Sequence, residues 1–101
     1  MRFEFEFEKV SPEGDLREKV IDKLASIAKY LGNVAEDFRV GFLRIKKRPR
    51  WGYRVSLRIR LPGNKEVFAE ARAKELLDAV DQVKDQIERQ LVKFFEKLKA
   101  F

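Results

Sequence analysis

Tyr53-Arg54-Val55-Ser56-Leu57-Arg58-Ile59-Arg60-Leu61, followed by Pro62-Gly63-Asn64-Lys65 and Glu66-Val67-Phe68-Ala69-Glu70-Ala71-Arg72-Ala73, decides the fold. Tyr53, Val55, Leu57, Ile59 and Leu61 fall on one side of a period of two; Arg54, Ser56, Arg58 and Arg60 fall on the other. That is a strand with one face in a core and one in water. Pro62 to Lys65 supplies turn chemistry, so the next segment folds back as a hairpin. In the second arm Val67, Ala69 and Ala71 point inward. Such small side chains predict a helix packed close above them.

Upstream, Arg48-Pro49-Arg50-Trp51-Gly52 breaks the chain. Residues 38 to 47 read as another strand with imperfect alternation. Phe38, Val40 and Phe42 share one parity, and Leu43 and Ile45 the other. A bulge or a strand apolar on both faces each fits this pattern. At the front, Phe3, Phe5 and Phe7 alternate strictly with Glu4, Glu6 and Glu8, a half-buried strand. Ser11-Pro12-Glu13-Gly14 reads as a turn, and Asp15 with Glu18 as a capping box. Leu16, Val20, Ile21, Leu24, Ile27, Ala28 and Leu31 recur at helical spacing until Gly32-Asn33 stops the helix. A last helix runs from about Glu75 to the end, with Leu76, Val80, Val83, Ile87, Leu91, Phe94 and Leu98 as its stripe.

The order is β-α-β-β-β-α, an α+β class. The helical crossover makes the first two strands parallel, and the short later turns make the rest antiparallel. Each strand has one apolar face, so both helices cover the same side of a four-stranded mixed sheet. The last helix, about 40 Å long, exceeds a strand of about 30 Å. Phe94, Phe95, Leu98 and Phe101 therefore sit near an overhang. They either pack on the first helix or fray, or they form a partner or self-association contact.

The chain has 101 residues, 45% of them apolar, so residues 1–101 make one domain with one modest core. It has no Cys and no His. Thiol catalysis, disulfides, imidazole acid–base work and most transition-metal sites are thereby excluded. No apolar run reaches membrane-spanning length, and Met1-Arg2-Phe3-Glu4 is no signal peptide. A soluble, cytoplasmic protein without a membrane partner is expected. Asp78, Asp81 and Asp85 share one helix and could be drawn as a divalent-metal cluster. They read better as helix-dipole and ion-pair partners of Lys74, Lys84 and Arg89. No enzyme activity, cofactor, metal or small-molecule substrate is expected.

The net charge of +6 is concentrated in the middle third. Residues 1–37 carry net −3, residues 38–73 net +9 and residues 74–101 net 0. Such a field attracts polyanions. Its densest part, Arg44 to Arg54, carries Lys46, Lys47, Arg48 and Arg50 around Trp51. Lysine and arginine there neutralise phosphates, and Trp51 either stacks on an unpaired base or caps the core edge. Arg54, Arg58 and Arg60 lie within reach of Glu4, Glu6, Glu8 and Glu70, so cross-strand ion pairing is expected on the open sheet face.

Three segments carry a family resemblance: Val67-Phe68-Ala69-Glu70-Ala71, Leu77-Asp78-Ala79-Val80-Asp81 and Ile87-Glu88-Arg89-Gln90-Leu91-Val92-Lys93. Together with the Pro62-Gly63-Asn64 turn and Leu16-Arg17-Glu18-Lys19-Val20, Lys23-Leu24 and Lys29-Tyr30, the chain resembles the ribosome hibernation promoting factors. These are also called ribosome-associated inhibitor A or sigma-54 modulation proteins. The resemblance covers essentially the whole chain. It implies two near-parallel helices on one sheet face, similar to a double-stranded-RNA-binding domain. It also implies a non-enzymatic translation inhibitor, active in the stress response, bound to 16S ribosomal RNA in the messenger and transfer RNA channel of the small subunit. By position, Lys23 and Lys29 on the first helix and Arg89 and Lys93 on the second would touch that RNA. Gln86 stands where the family often has a basic residue. The family's long branch adds a C-terminal domain that pairs ribosomes, and a chain ending at Phe101 is expected to lack it.

Helical geometry places Gln86, Arg89, Lys93 and Lys97 on one ridge of the last helix and Lys19 and Lys23 on the first. Two ridges side by side would form a phosphate groove. A monomer is expected, with self-association through the last helix as a second possibility. The competing functions are a general double-stranded-RNA or nucleic-acid binder without ribosome preference, and a protein-interaction domain using the C-terminal phenylalanines.

Overall fold

The computed structural model describes residues 1–11, 14–32 and 34–99. The strands are β1 (Arg2–Glu8), β2 (Val40–Lys47), β3 (Tyr53–Leu61) and β4 (Lys65–Ala73), in sheet order β1-β2-β3-β4. β1 runs parallel to β2, while β2–β3 and β3–β4 are antiparallel. The helices are α1 (Leu16–Leu24) and α2 (Leu76–Lys99). This is the expected α+β order and mixed sheet. Pro12 and Glu13 of the expected turn, Asn33 of the helix stop, the side chain of Leu98 and all of Phe101 lie outside the described residues.

Strand parity sorts the two faces. Gly41, Leu43 and Ile45 of β2, Val55, Leu57, Ile59 and Leu61 of β3, and Val67, Ala69, Ala71 and Ala73 of β4 are buried beneath the helices. α2 lies against β4 and β3, where the alanine row lets its backbone approach. It contributes Leu76, Ala79, Val80, Val83, Ile87 and Leu91 to the core. Among the described residues no polar or charged side chain is buried. The core therefore rests on apolar packing alone, at about 25 cal/mol per Å² removed from water.

The broken alternation of β2 has a simple cause. Its register with β1 runs without a bulge from Arg2–Val40 to Glu8–Lys46. Gly41 occupies an inward position because the Phe3 ring fills the space above it: a Cβ there would stand 2.9 Å from that ring. Phe42 lies on the opposite, open face beneath Arg60, 5.5 Å from guanidinium carbon to ring centroid. So β2 carries apolar side chains on both faces, with Val40 and Phe42 on the open one alongside Arg44 and Lys46. Phe38 is not part of it. It ends a 3-10 turn, Glu36–Phe38, and is 71% exposed.

The first helix also departs from expectation. α1 ends at Leu24 and tightens into a 3-10 segment, Ala25–Leu31. Val20, Leu24, Ile27 and Leu31 form one buried line along both, whereas Ile21, about 100° away, is exposed. Asp15 makes no side-chain cap; its carboxylate reaches the Lys19 ammonium at 3.5 Å instead. At the far end, Phe94 and Phe95 meet edge to face and pack half-buried against the core.

Candidate nucleic-acid interface

The seam between the helices is closed by side-chain bonds. The Lys23 ammonium donates to both oxygens of Asp81 at 3.1 and 3.0 Å, and the Ser26 hydroxyl donates to Glu88 at 2.6 Å. Both pairs advance in the same direction along the chain, so the first helical segment and α2 run parallel. Lys23 is thus neutralised where a phosphate groove was expected. Lys29 is exposed, with its ammonium 5.3 Å from the Tyr30 ring centroid. Lys19 pairs with Asp15.

Arg89 and Lys93 lie about 80° and 120° around α2 from Asp81, away from the seam. Both are exposed, as is Lys97, and none has a carboxylate within 4.0 Å among the described residues. The expected ridge does form on α2, but without Gln86 and without a facing ridge on α1. Gln86 is half-buried, and its amide donates to the Glu70 carbonyl at 3.4 Å. One turn later, Gln90 donates to the Phe68 carbonyl at 2.7 Å and accepts from the Phe68 N–H at 3.2 Å. These two glutamines cover three backbone groups on the outer edge of β4, the Phe68 N–H and C=O and the Glu70 C=O. Glutamines four apart were visible in the sequence, but nothing in it marked them as edge caps.

The second cluster is the β2–β3 loop. Arg48 N–H donates to the Gly52 carbonyl at 2.9 Å, pinching Pro49, Arg50 and Trp51 outward. Gly52 has φ +66°, and a Cβ there would stand 2.3 Å from the Ala73 carbonyl oxygen. Only glycine satisfies both demands. Trp51 is 52% exposed and is absent from the side chains packed on the core, so it does not cap the core edge. Lys47 and Arg50 are exposed beside it, and Arg48 is half-buried. Lys46 instead points to the open face, 3.9 Å from Glu8. Because Gly52 touches Ala73, this loop sits by the start of α2. Arg89 and Lys97 lie about 20 Å and about 30 Å further along that helix. The structure therefore gathers Arg48, Arg50 and Trp51, and separately Arg89, Lys93 and Lys97, but does not merge the two groups.

The open sheet face carries the expected cross-strand ion pairing, but of the expected partners only Arg54 and Glu70 meet; Arg44 and Lys46 take Glu6 and Glu8, and Arg60 lies over Phe42 instead. Arg44 meets Glu6 at 3.3 Å, and Arg58 meets Glu66 at 3.8 Å. Arg54 grips Glu70 through two bonds of 2.8 Å. That hydrogen bonding holds the Glu70 carboxyl below its ordinary range and raises Arg54. A shallow hollow of about 610 Å³ follows this face. Phe42, Arg58 and Phe68 stand side by side in it by register, an aromatic feature the sequence reading did not single out. Parity alone would have placed both rings there. Among the described residues no three acidic side chains converge as a metal site; Asp81 is committed to Lys23, and Asp85 lies 3.8 Å from Lys84. No helix among those residues is long and apolar enough to cross a membrane.

Residues 3–99 match the model of the family described as sigma 54 modulation protein / S30EA ribosomal protein. The chain belongs to this family. Membership agrees with the resemblance read over essentially the whole sequence. The crystal structure of the Thermus thermophilus Protein Y N-terminal domain is similar in fold, with a TM-score of 0.72 at 21% identity, covering 92% of this chain and 94% of that one. No curated protein matches. Of the four positions that the family resemblance marks for RNA contact, Arg89 and Lys93 are exposed and without a carboxylate partner among the described residues on one flank of α2, Lys29 is exposed on the 3-10 segment, and Lys23 is held in the seam.

Proposed function

We propose that this chain is a non-enzymatic hibernation factor of the cytoplasm that binds 16S ribosomal RNA in the messenger and transfer RNA channel of the small subunit. The observation that supports this most is the row Arg89, Lys93 and Lys97. In a member of this family, three exposed cations without carboxylate partners among the described residues line one flank of a helix. Lysine and arginine so placed exchange counterions for phosphates, which gives affinity without chemistry. The Arg48–Trp51 loop adds a second contact about 20 to 30 Å away, a span that suits a folded RNA surface better than one short duplex face. Lys47 is exposed beside that loop and Lys29 on the 3-10 segment, while Lys46 lies on the open face with Glu8 already near it and contributes less. Lys23 contributes less, since Asp81 already holds its charge.

Occupancy of the channel is sufficient for inhibition, so one protein per subunit acting as a monomer accounts for the activity. Co-sedimentation with purified small subunits across a salt series, with a generic RNA duplex as competitor, tests the reading. Retention against excess duplex with a steep loss at high salt is the expected result. Displacement by an equal mass of duplex would reduce the function to general RNA binding.

A further inference from the structure

The two edges of the sheet are treated differently. On β4, Gln86 and Gln90 occupy the outward backbone groups of Glu70 and Phe68. On β1 nothing comparable occurs among the described residues. Arg2 N–H donates inward to the Arg39 carbonyl at 2.9 Å. Backbone groups alternate sides along a strand, so those of Arg2, Glu4, Glu6 and Glu8 face β2. The N–H and C=O groups of Phe3, Phe5 and Phe7 therefore point away from the sheet, and among the described residues no hydrogen bond occupies them. The strand is seven residues long, unbulged and free of proline, and its charged residues Arg2, Glu4, Glu6 and Glu8 all stand on the open face.

We propose that β1 is a docking edge for an extended polypeptide whose residues alternate basic and apolar. Such a segment would add as a fifth strand and take up the backbone groups of Phe3, Phe5 and Phe7. Its side chains would fall beside Phe3, Phe5 and Phe7 on the helix face, where apolar groups fit next to rings that the Arg17 guanidinium covers in part, 5.7 and 5.4 Å from the Phe5 and Phe7 centroids. On the open face they would fall beside Glu4, Glu6 and Glu8. These carboxylates already meet Arg2, Arg44 and Lys46, yet their side chains remain 53%, 66% and 44% exposed. Each has room for a second cation from the outer side. A second copy of β1 is disfavoured, because its open-face row of Arg2, Glu4, Glu6 and Glu8 carries net −2 and would meet its own sign. Charge complementarity thus selects a basic strand.

The probe is an acetylated, amidated heptapeptide of alternating lysine and valine, added to the full chain. Backbone amide exchange is followed by NMR. Saturating peptide should slow exchange at Phe3, Phe5 and Phe7 and leave Phe68 unchanged. A peptide N-methylated on the bonding side should bind about tenfold more weakly or worse, as expected for several lost backbone hydrogen bonds. Glu4→Lys with Glu6→Lys, both at exposed positions, should reverse the preference toward an alternating glutamate and valine peptide. Equal binding of the N-methylated peptide, or protection away from β1, would overturn the proposal. Concentration-dependent protection of the same amides without peptide would show a second copy as the occupant and overturn the basic-strand assignment.

Discussion

Arg89→Ala combined with Lys93→Ala should flatten the salt dependence of ribosome binding by a calculable amount. Each phosphate neutralised adds about 0.7 to 0.9 to the slope of log K against log salt, the lower value for single strands and the higher for duplex. Two free cations removed should reduce the slope by about 1.4 to 1.8. Between 50 and 200 mM salt, the variant would then lose about 7- to 12-fold less of its affinity than the parent. Lys23→Ala is the internal control. Its ammonium is held by Asp81 at 3.0 Å, so removing it frees a carboxylate without removing an available cation. Its slope should change far less than that of the double variant. Thermal melts should show both proteins folded, because Arg89 and Lys93 are exposed and the Lys23–Asp81 pair is worth at most about 1 kcal/mol. The assay is small-subunit binding by fluorescence anisotropy at five or more salt concentrations. A double variant with the parental slope would refute the α2-flank assignment; if Arg48→Ala with Arg50→Ala then flattened it, the binding surface would be the β2–β3 loop.

Trp51→Ala should leave the melting temperature within about 2–3 °C of the parent, as it lies outside the core, while weakening RNA binding by about 1–3 kcal/mol if its ring stacks on a base. Unchanged affinity in the same anisotropy assay would remove stacking from the account. Gln90→Ala strips two bonds from the β4 edge and should cost about 1–2 kcal/mol in urea unfolding, whereas Gln82→Ala, exposed on the same helix, should cost little. Glu70→Gln removes the anionic half of its bond with Arg54. The folded Glu70 pKa lies below its unfolded value, so its stabilising contribution is present above the unfolded pKa and disappears as pH falls through the lower, folded one. The gap in melting temperature between parent and variant should therefore be full at pH 7 and close below about pH 4. A gap constant down to pH 2.5 would show that the charge on Glu70 contributes nothing.

The sequence was most legible where one physical demand acted alone. In β3, the demand to keep five apolar side chains beneath the helices fixed both strand and face. The same demand produced the alanine row of β4 and the close approach of α2. Legibility failed where a neighbour distant in sequence took over. Gly41 reads as a defect in β2 until Phe3 is seen filling the space above it. The first helix looked uniform because its stripe survives the change from α to 3-10 winding. Asp15 looked like a cap, but its carboxylate turned to Lys19.

The site shows the same division more sharply. Helical spacing alone identified Arg89, Lys93 and Lys97 as one row, because an α-helix fixes the relative directions of its own side chains. It could not say what faced them. That depended on the angle at which α2 lies on the sheet, which brings Gln86 and Gln90 to the β4 edge and Asp81 and Glu88 to the first helix. Once those four contacts are fixed, the rotation of α2 about its axis is fixed as well, and the arc left to water among the described residues carries Arg89, Lys93 and Lys97 together with Asp78, Asp85 and Glu96. The groove expected between two basic ridges is therefore replaced by a closed seam and one basic flank. The seam residues set the direction in which that flank points. Weakening Ser26–Glu88 or Lys23–Asp81 should alter RNA affinity through the orientation of α2, with no change in the number of phosphates neutralised. Ser26→Ala should accordingly shift affinity at every salt concentration while leaving the slope at the parental value; a changed slope would show that the seam, too, meets the RNA.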